Sequence, residues 1–200
     1  VCGIDVEKNG VEFAQRIARE REIANVSYQV MSVYDLRFPD NTFDGAFSHT
    51  VFEHLADIPR ALAEIHRVLK PGGEFVFTFD AFRSRHGAHV GHFIGVPWPC
   101  FFFDINVVTR RYNEVCDRFL AASAISGSDA EMYRSSTVES LNRMKISDVE
   151  EVVRQSPFKV VDMAPYNEEA LILSALPFLK RIPSLYEYLR GSLVIRLQKP

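Results

Sequence analysis

Residues 35–79, DLRFPDNTFDGAFSHTVFEHLADIPRALAEIHRVLKPGGEFVFTF, decide the fold of this chain. FDGAFS reads as a strand, and it is followed by apolar residues at helical spacing: Ile58, Ala61, Leu62, Ile65, Val68 and Leu69. Asp57 can cap this helix through its carboxylate. The helix should stop at KPGG, because Pro71 cannot continue it and the glycines permit a turn into the strand EFVFTF.

The neighbouring segments continue this alternation of strands and helices. VCGID (1–5) and VSYQVM (26–31) read as strands, and the amphipathic stretch GVEFAQRIARERE (10–22) reads as a helix between them. Further on, FKVVDMAPYN and SLVIRLQK read as strands, while Ser147 and Glu150 form a capping box for a short helix. The pattern predicts an α/β fold, a Rossmann-like, doubly wound, mostly parallel sheet.

Composition and charge limit the class of protein. Of the 200 residues, 47% are apolar and 24% are charged, which is ordinary for a globular protein, and one domain over 1–200 is expected. A net charge of -3 disfavours a nucleic-acid partner. Cys2, Cys100 and Cys116 are too far apart in sequence for a redox or zinc motif, which favours a reducing, cytoplasmic setting. No apolar run is long enough for a transmembrane helix.

Ligands of doubly wound sheets bind beyond the carboxyl ends of the strands. Asp5 follows the first strand of this chain, at a place where a carboxylate can accept hydrogen bonds from both hydroxyls of a ribose. A turn or helix-cap role is the alternative for Asp5. Ser32 and Ser48 follow two further strands, so the residues beside them are also candidates for a ligand site.

The segments GIDVEKNGVEFAQR, FPDNTFD and RVLKPGG, in this order and at this spacing, resemble the class I S-adenosylmethionine-dependent methyltransferases that act on small molecules. The resemblance covers residues 1–80. It implies methyl transfer from S-adenosylmethionine to a small-molecule acceptor, at oxygen, and a last strand that runs antiparallel. It also implies a first strand and a Gly-rich loop ahead of VCGID, so we expect an N-terminally truncated domain.

The resemblance assigns the cofactor-binding residues. Asp5 would bind the ribose hydroxyls, and Val6 would pack on the adenine edge. Ser32 occupies the place of a family acid that receives the adenine amino group, and Val33 would offer its backbone N–H to the adenine ring. Ser48 and His49 would contact the methionine part of the cofactor and the acceptor.

Four histidines are the candidate catalytic residues. His49 follows a strand, and His86, His89 and His92 lie in the loop HGAHVGH; an imidazole titrates near neutral pH and can take a proton from an oxygen acceptor. A helix-start residue and a plain polar loop are the respective alternatives. No metal site is expected, since Thr50 stands where some relatives have an acid that joins Glu53 and His54.

Residues 81–145 are expected to form an inserted acceptor-binding or lid region. Phe93 and Trp98 are the candidate substrate-binding residues, since aromatic side chains there would exclude water; a second small core is the alternative. The apolar stretch 169–189 has only Lys180, Arg181 and Arg190 nearby, so packing on the core is favoured over contact with a membrane surface.

Two other readings remain open. A nicotinamide-dependent oxidoreductase also uses an acid after the second strand, but RVLKPGG and FPDNTFD are foreign to that pattern. A degenerate methyltransferase-like domain without activity is the second, because the Gly-rich loop that would meet the cofactor carboxylate is expected to be absent.

Overall fold

The computed structural model describes residues 1–85, 94–123, 140–165, 182, 187–189 and 191–200. The strands are β1 (Cys2–Asp5), β2 (Ser27–Val30), β3 (Phe43–Ser48), β4 (Leu69–Asp80), β5 (Lys159–Pro165) and β6 (Ser192–Gln198). The helices are α1 (Lys8–Glu20), α2 (Ile58–Val68), α3 (Pro99–Phe102), α4 (Ile105–Ala122) and α5 (Ile146–Gln155), with a 3₁₀ turn at Phe52–His54.

The strands form two sheets. β1 and β2 pair in parallel, and the second sheet has the order β3-β4-β6-β5. β3 is parallel to β4, while β6 is antiparallel to both of its neighbours, so β3, β4 and β5 share one direction. The expected Rossmann-like α/β fold with an antiparallel last strand is therefore confirmed. Within the described ranges no strand joins β1 to β3, and the missing first strand stays a prediction.

α2 begins where the sequence predicts and ends earlier than predicted. Asp57 Oδ1 accepts the backbone N–H of Arg60 at 3.0 Å, which confirms the cap. The expected turn at KPGG is wrong, because the helix ends at Val68 and these residues form the irregular start of β4. Gly72 has a φ of 80°, and a Cβ on Gly73 would lie 2.8 Å from the Lys70 carbonyl oxygen. Glycines are thus required where the chain passes from helix to sheet.

The core lies on one face of the larger sheet. β4 contributes Phe75, Phe77 and Phe79, and the apolar sides of α2 and α5 pack against the same cluster. A second, smaller cluster gathers around α4, with Val108, Tyr112, Cys116, Leu120 and Leu141. The first cluster fixes the parallel strands whose ends carry the candidate site, and the assignment of 81–145 as an insertion stays a prediction.

The N-terminus of α5 is held by a distant residue. The expected Ser147–Glu150 capping box is wrong, because the helix begins at Ile146. The carboxylate of Glu187 accepts the N–H groups of Ile146 at 2.8 Å and Ser147 at 3.2 Å, and Asp148 accepts the N–H of Lys145 at 3.3 Å. A long-range carboxylate thus serves the first turn of this helix.

Candidate functional site

Asp5 shapes the turn between β1 and α1. Its Oδ1 accepts the backbone N–H of Glu7 at 2.8 Å, and the residue is exposed. This contact is the turn role that the sequence left as an alternative. One carboxylate oxygen of Asp5 is thus engaged as an acceptor at the carboxyl end of the strand, and the ribose-binding role stays a prediction.

A cavity of about 230 Å³ lies beside this turn, beyond the carboxyl ends of β1 and β2. Its lining residues are Val6, Val30, Met31, Ser32, Asp35 and Arg37. Two predicted cofactor-binding residues, Val6 and Ser32, thus meet on one cavity. Sequence reasoning missed Asp35 and Arg37, although both charged side chains follow Ser32 within five residues.

The loop after β2 is fixed by its own hydrogen bonds. Ser32 Oγ accepts the N–H of Tyr34 at 3.2 Å, and the Ser32 carbonyl accepts the N–H of Asp35 at 3.1 Å. Arg37 donates to the carbonyl of Val30 at 2.9 Å. Because Ser32 Oγ already accepts one hydrogen bond, Asp35 is the carboxylate with the greater capacity to accept at this cavity. The side chain of Val33 packs against the hydrophobic core and is not part of the cavity lining.

Arg67 of α2 holds this loop from the other side. Its guanidinium donates to the carbonyls of Leu36 at 2.6 Å and Phe38 at 2.8 Å, and to the carboxylates of Asp40 and Glu64. These contacts raise the pKa of Arg67 above its ordinary value, and the hydrogen bond from Arg67 lowers the pKa of Glu64. The arginine of RVLKPGG therefore fixes the segment that leads away from the cavity.

A second group of candidate residues lies at the carboxyl end of β3. Ser48 is the last residue of the strand, and His49 is exposed with its ring stacked beside Phe47 at a centroid distance of 6.3 Å. His49 Nδ1 lies 2.9 Å from Thr78 Oγ1, which also accepts the N–H of Thr50 at 3.0 Å. Neither Ser48 nor His49 lines the cavity at β1 and β2.

The pair Glu53 and His54 is held by the segment before α5. Glu53 is 1% exposed, its carbonyl accepts the N–H of Asn142 at 2.7 Å, and His54 Nδ1 lies 2.8 Å from Ser140 Oγ. These contacts tie the 3₁₀ turn to residues 140–142. Across the described residues, no group of three His, Cys, Asp or Glu side chains is arranged to hold a metal ion.

Trp98 joins two parts of the chain. It has a left-handed backbone (φ 50°), its N–H donates to the Arg85 carbonyl at 2.7 Å, and its indole Nε1–H donates to the Tyr188 carbonyl at 3.0 Å. The other candidates of this region, His86, His89, His92 and Phe93, lie outside the described residues. So does most of 169–189, and within the described part of the chain no helix has the length and apolarity to cross a membrane.

Several known proteins resemble this chain over about its first 77 residues. Residues 1–77 match the family model "Methyltransferase domain". A demethylmenaquinone methyltransferase of Symbiobacterium thermophilum is 42% identical over 77 residues, which are 38% of this chain and 31% of the relative. The O-methyltransferase cnsE of Penicillium expansum is 38% identical over 169 residues, 84% of this chain and 47% of the relative. The chain spans less than half the length of these curated relatives.

The fold has solved counterparts as well. The crystal structure of the [4+2]-cyclase SpnF matches all of this chain and 65% of its own, with a TM-score of 0.57 and 20% identity. At that identity the likeness concerns the fold alone, and the name of SpnF shows that its chemistry is a cyclisation. Residues 1–77 are therefore similar in sequence to a methyltransferase domain, and the sheet topology agrees with the fold of the class I S-adenosylmethionine-dependent methyltransferases.

Proposed function

We propose that the protein transfers a methyl group from S-adenosylmethionine to a small-molecule acceptor, at an oxygen atom. One observation carries the proposal: Val6 and Ser32, which the family resemblance assigns to adenine, line the same cavity at the carboxyl ends of β1 and β2. The cavity lies inside residues 1–77, the segment that matches the methyltransferase domain.

The residues of the cavity fit the adenosine half of this cofactor. Val6, Val30 and Met31 offer apolar walls to a planar purine, while Ser32 and Asp35 offer polar atoms to its edge. Asp5 would hold the ribose hydroxyls with the acceptor capacity that its turn hydrogen bond leaves. The Val33 backbone N–H would face the adenine ring, and Ser48 and His49 would contact the methionine part.

The cofactor supplies a methyl group bound to a positively charged sulfur. The chain has to align the acceptor with that methyl group, keep water away, and remove the proton of an attacking hydroxyl. His49 is the proposed base among the described residues, since it is exposed at the end of β3 and its ring is held by Thr78. We also propose that His86, His89 and His92 bind the acceptor or take its proton. Phe93 and Trp98 would supply apolar contacts to the acceptor.

The choice of oxygen rests on a relative whose similarity extends along most of the chain. The match to the O-methyltransferase of Penicillium expansum covers 84% of this chain, well beyond the shared cofactor-binding segment. The region that would receive the acceptor is therefore part of that similarity. A small-molecule acceptor agrees with the name of the demethylmenaquinone methyltransferase.

Calorimetric titration of the complete gene product with S-adenosylmethionine tests cofactor binding. We expect binding, and Asp5→Ala should weaken it at least tenfold, because hydrogen bonds to a diol are lost. Asp162→Ala is the matched control: Asp162 Oδ1 also accepts a neighbouring backbone N–H, that of Met163 at 2.9 Å, but lies on the outer strand β5. No heat of binding with the unmodified protein would contradict the proposal.

A second experiment tests the atom methylated. The protein is incubated with S-adenosylmethionine carrying a ¹³C methyl group and, separately, with a phenol, an amine and a thiol of similar size. We expect a ¹³C-methoxy carbon signal from the phenol alone. Methylation of the amine or thiol in preference to the phenol would overturn the assignment to oxygen while leaving methyl transfer intact.

A further inference from the structure

Thr78 places a hydroxyl group at the end of β3. It lies on β4 in the run EFVFTF, and it is 7% exposed. The register of the parallel pair sets Ser48 beside Phe77, so the residue after each of them, His49 and Thr78, meet where β3 ends. Thr78 Oγ1 contacts two groups there, His49 Nδ1 at 2.9 Å and the backbone N–H of Thr50 at 3.0 Å.

The hydrogen-bond capacity of this hydroxyl limits what His49 can do. A threonine hydroxyl has one proton to donate and two lone pairs that accept. The N–H of Thr50 takes one lone pair, so the hydroxyl meets His49 Nδ1 with either its proton or its second lone pair. If it donates, the neutral ring carries its proton on Nε2 and that nitrogen cannot accept another. If it accepts, Nδ1 carries the proton and Nε2 is the basic nitrogen.

We propose that Thr78 is a positioning residue for His49, whose Nδ1–H donates to Thr78 Oγ1 and whose Nε2 is thereby kept as the proton acceptor. The proposal rests on the proposed function for the role of His49 as a base. In the transfer, the acceptor oxygen forms the new O–CH₃ bond, its proton moves to Nε2, and the electron pair of the breaking S–CH₃ bond stays on sulfur. Protonation at Nε2 leaves the Nδ1–H donor in place, so the contact with Thr78 needs no rearrangement.

The backbone around His49 supports a positioning role. Thr50 has a φ of 52°, a left-handed conformation that a β-branched residue adopts only when its surroundings enforce it. The hydrogen bond from the Thr50 N–H to Thr78 is one such constraint. One oxygen atom therefore fixes both the main chain that presents His49 and the orientation of its ring. Nε2 has no hydrogen bond to any residue that the structure describes.

NMR of the histidine side chains tests the proposal without relying on activity. The chain is labelled with ¹⁵N-histidine, and His49 is assigned by comparison with His49→Gln. Long-range ¹H–¹⁵N correlations are then recorded at an alkaline pH, at which imidazole rings are neutral. We expect a protonated Nδ1 and an unprotonated Nε2. A neutral ring with its proton on Nε2 would overturn the proposal, whether or not the protein transfers methyl groups.

Two variants at Thr78 separate the hydroxyl from the rest of the side chain. Thr78→Val keeps the shape and removes the hydroxyl, so we expect the proton of His49 to move mainly to Nε2; Thr78→Ser should retain it on Nδ1. Thr42→Val is the matched control, because the Thr42 hydroxyl donates to the Pro39 carbonyl, away from His49. A Thr78→Ser variant that has lost the Nδ1 proton would contradict the proposal, even if Thr78→Val fails to fold.

Kinetics then connect this contact to the proposed reaction. With an active protein, Thr78→Val should lower kcat at least tenfold with the KM for S-adenosylmethionine unchanged, while Thr78→Ser should stay within threefold of the unmodified protein. Equal losses in both variants, or a change in KM alone, would count against a positioning role. Absence of methyl transfer in the unmodified protein would refute the proposed function and leave the NMR result to decide the role of Thr78.

Discussion

The guanidinium of Arg67 binds both carboxylate oxygens of Glu64, with Nε 3.1 Å from Oε1 and Nη2 2.9 Å from Oε2. The same carboxylate accepts the N–H of Leu36 at 3.0 Å, and the same guanidinium donates to the carbonyl of Leu36. Two side chains of α2 thus satisfy both backbone groups of one loop residue. The loop that continues from the cavity is attached to the helix by this pair.

We expect Arg67→Ala to lower the free energy of unfolding by about 2 kcal/mol, since several hydrogen bonds to charged or backbone groups are lost together. Arg67→Lys should recover only a part, because an ammonium cannot reproduce the planar fork. Urea denaturation followed by circular dichroism measures both changes.

Arg196→Ala is the matched control for Arg67. Arg196 also forms a two-point contact with a carboxylate, that of Glu74, but this pair is exposed and lies on β6 and β4, and its hydrogen bonds do not involve the loop after β2. We expect a clearly smaller loss of stability, as is usual for surface ion pairs. An equal loss in the two variants would show that the loop contacts of Arg67 add nothing.

The pair also makes stability depend on pH. The hydrogen bond from Arg67 holds the pKa of Glu64 below its ordinary value of 4.5, so the folded protein binds this proton less readily than the unfolded chain. The stabilisation is present above pH 4.5 and is lost as the pH falls through the lower pKa of the folded state. The difference in unfolding free energy between the unmodified protein and Glu64→Gln should therefore shrink over the pH range below 4.5. A constant difference over that range would contradict the assignment.

Glu187 provides a third test. Its buried carboxylate caps α5, so Glu187→Ala should cost about 1–3 kcal/mol by leaving the N–H groups of Ile146 and Ser147 without their acceptor. Glu187→Gln keeps one acceptor oxygen and should cost less. Glu151→Ala, on the exposed side of α5, is the control, and thermal unfolding followed by circular dichroism ranks the three. An unchanged midpoint for Glu187→Ala would mean that water replaces the carboxylate.

The cysteines differ in their expected reactivity. Burial raises the pKa of the Cys100 thiol to about 11, so about a thousandth of it is thiolate at pH 8. Cys116 is buried, while Cys2 is half-buried on the short strand β1. Titration with a disulfide reagent should show one fast thiol, which Cys2→Ser removes and Cys100→Ser does not. A fast phase that persists in Cys2→Ser would contradict the assignment.

The local patterns in the sequence predicted the main elements. The stripe from Ile58 to Val68, the Asp57 cap and the alternation of strands were confirmed because each depends on neighbours within a few residues. The end of α2 was misplaced, since the pairing of Leu69 with Phe43 extends β4 through KPGG against the local turn preference. Contacts between residues distant in sequence, such as Glu187 with the first turn of α5, leave no local pattern to read.

The candidate site was predicted only in part. The family resemblance assigned Val6 and Ser32 to adenine, and the structure has both residues on one cavity, while their binding role stays a prediction. Asp35 and Arg37 were missed, because the direction in which a loop side chain points depends on hydrogen bonds such as that from Arg37 to the Val30 carbonyl. Thr78 was missed because threonine is common in β-strands, so its presence within an apolar strand indicates no further role.

The cavity belongs to the two-stranded sheet, while His49 belongs to the four-stranded one. A two-stranded sheet is marginally stable by itself, whereas β4 is hydrogen-bonded on both sides. In hydrogen-exchange measurements, the amides of β1 and β2 should open at lower free energy than those of β4. A ligand that occupies the cavity would then slow exchange mainly in β1 and β2. Part of its binding free energy would be spent on suppressing the local opening of these two strands.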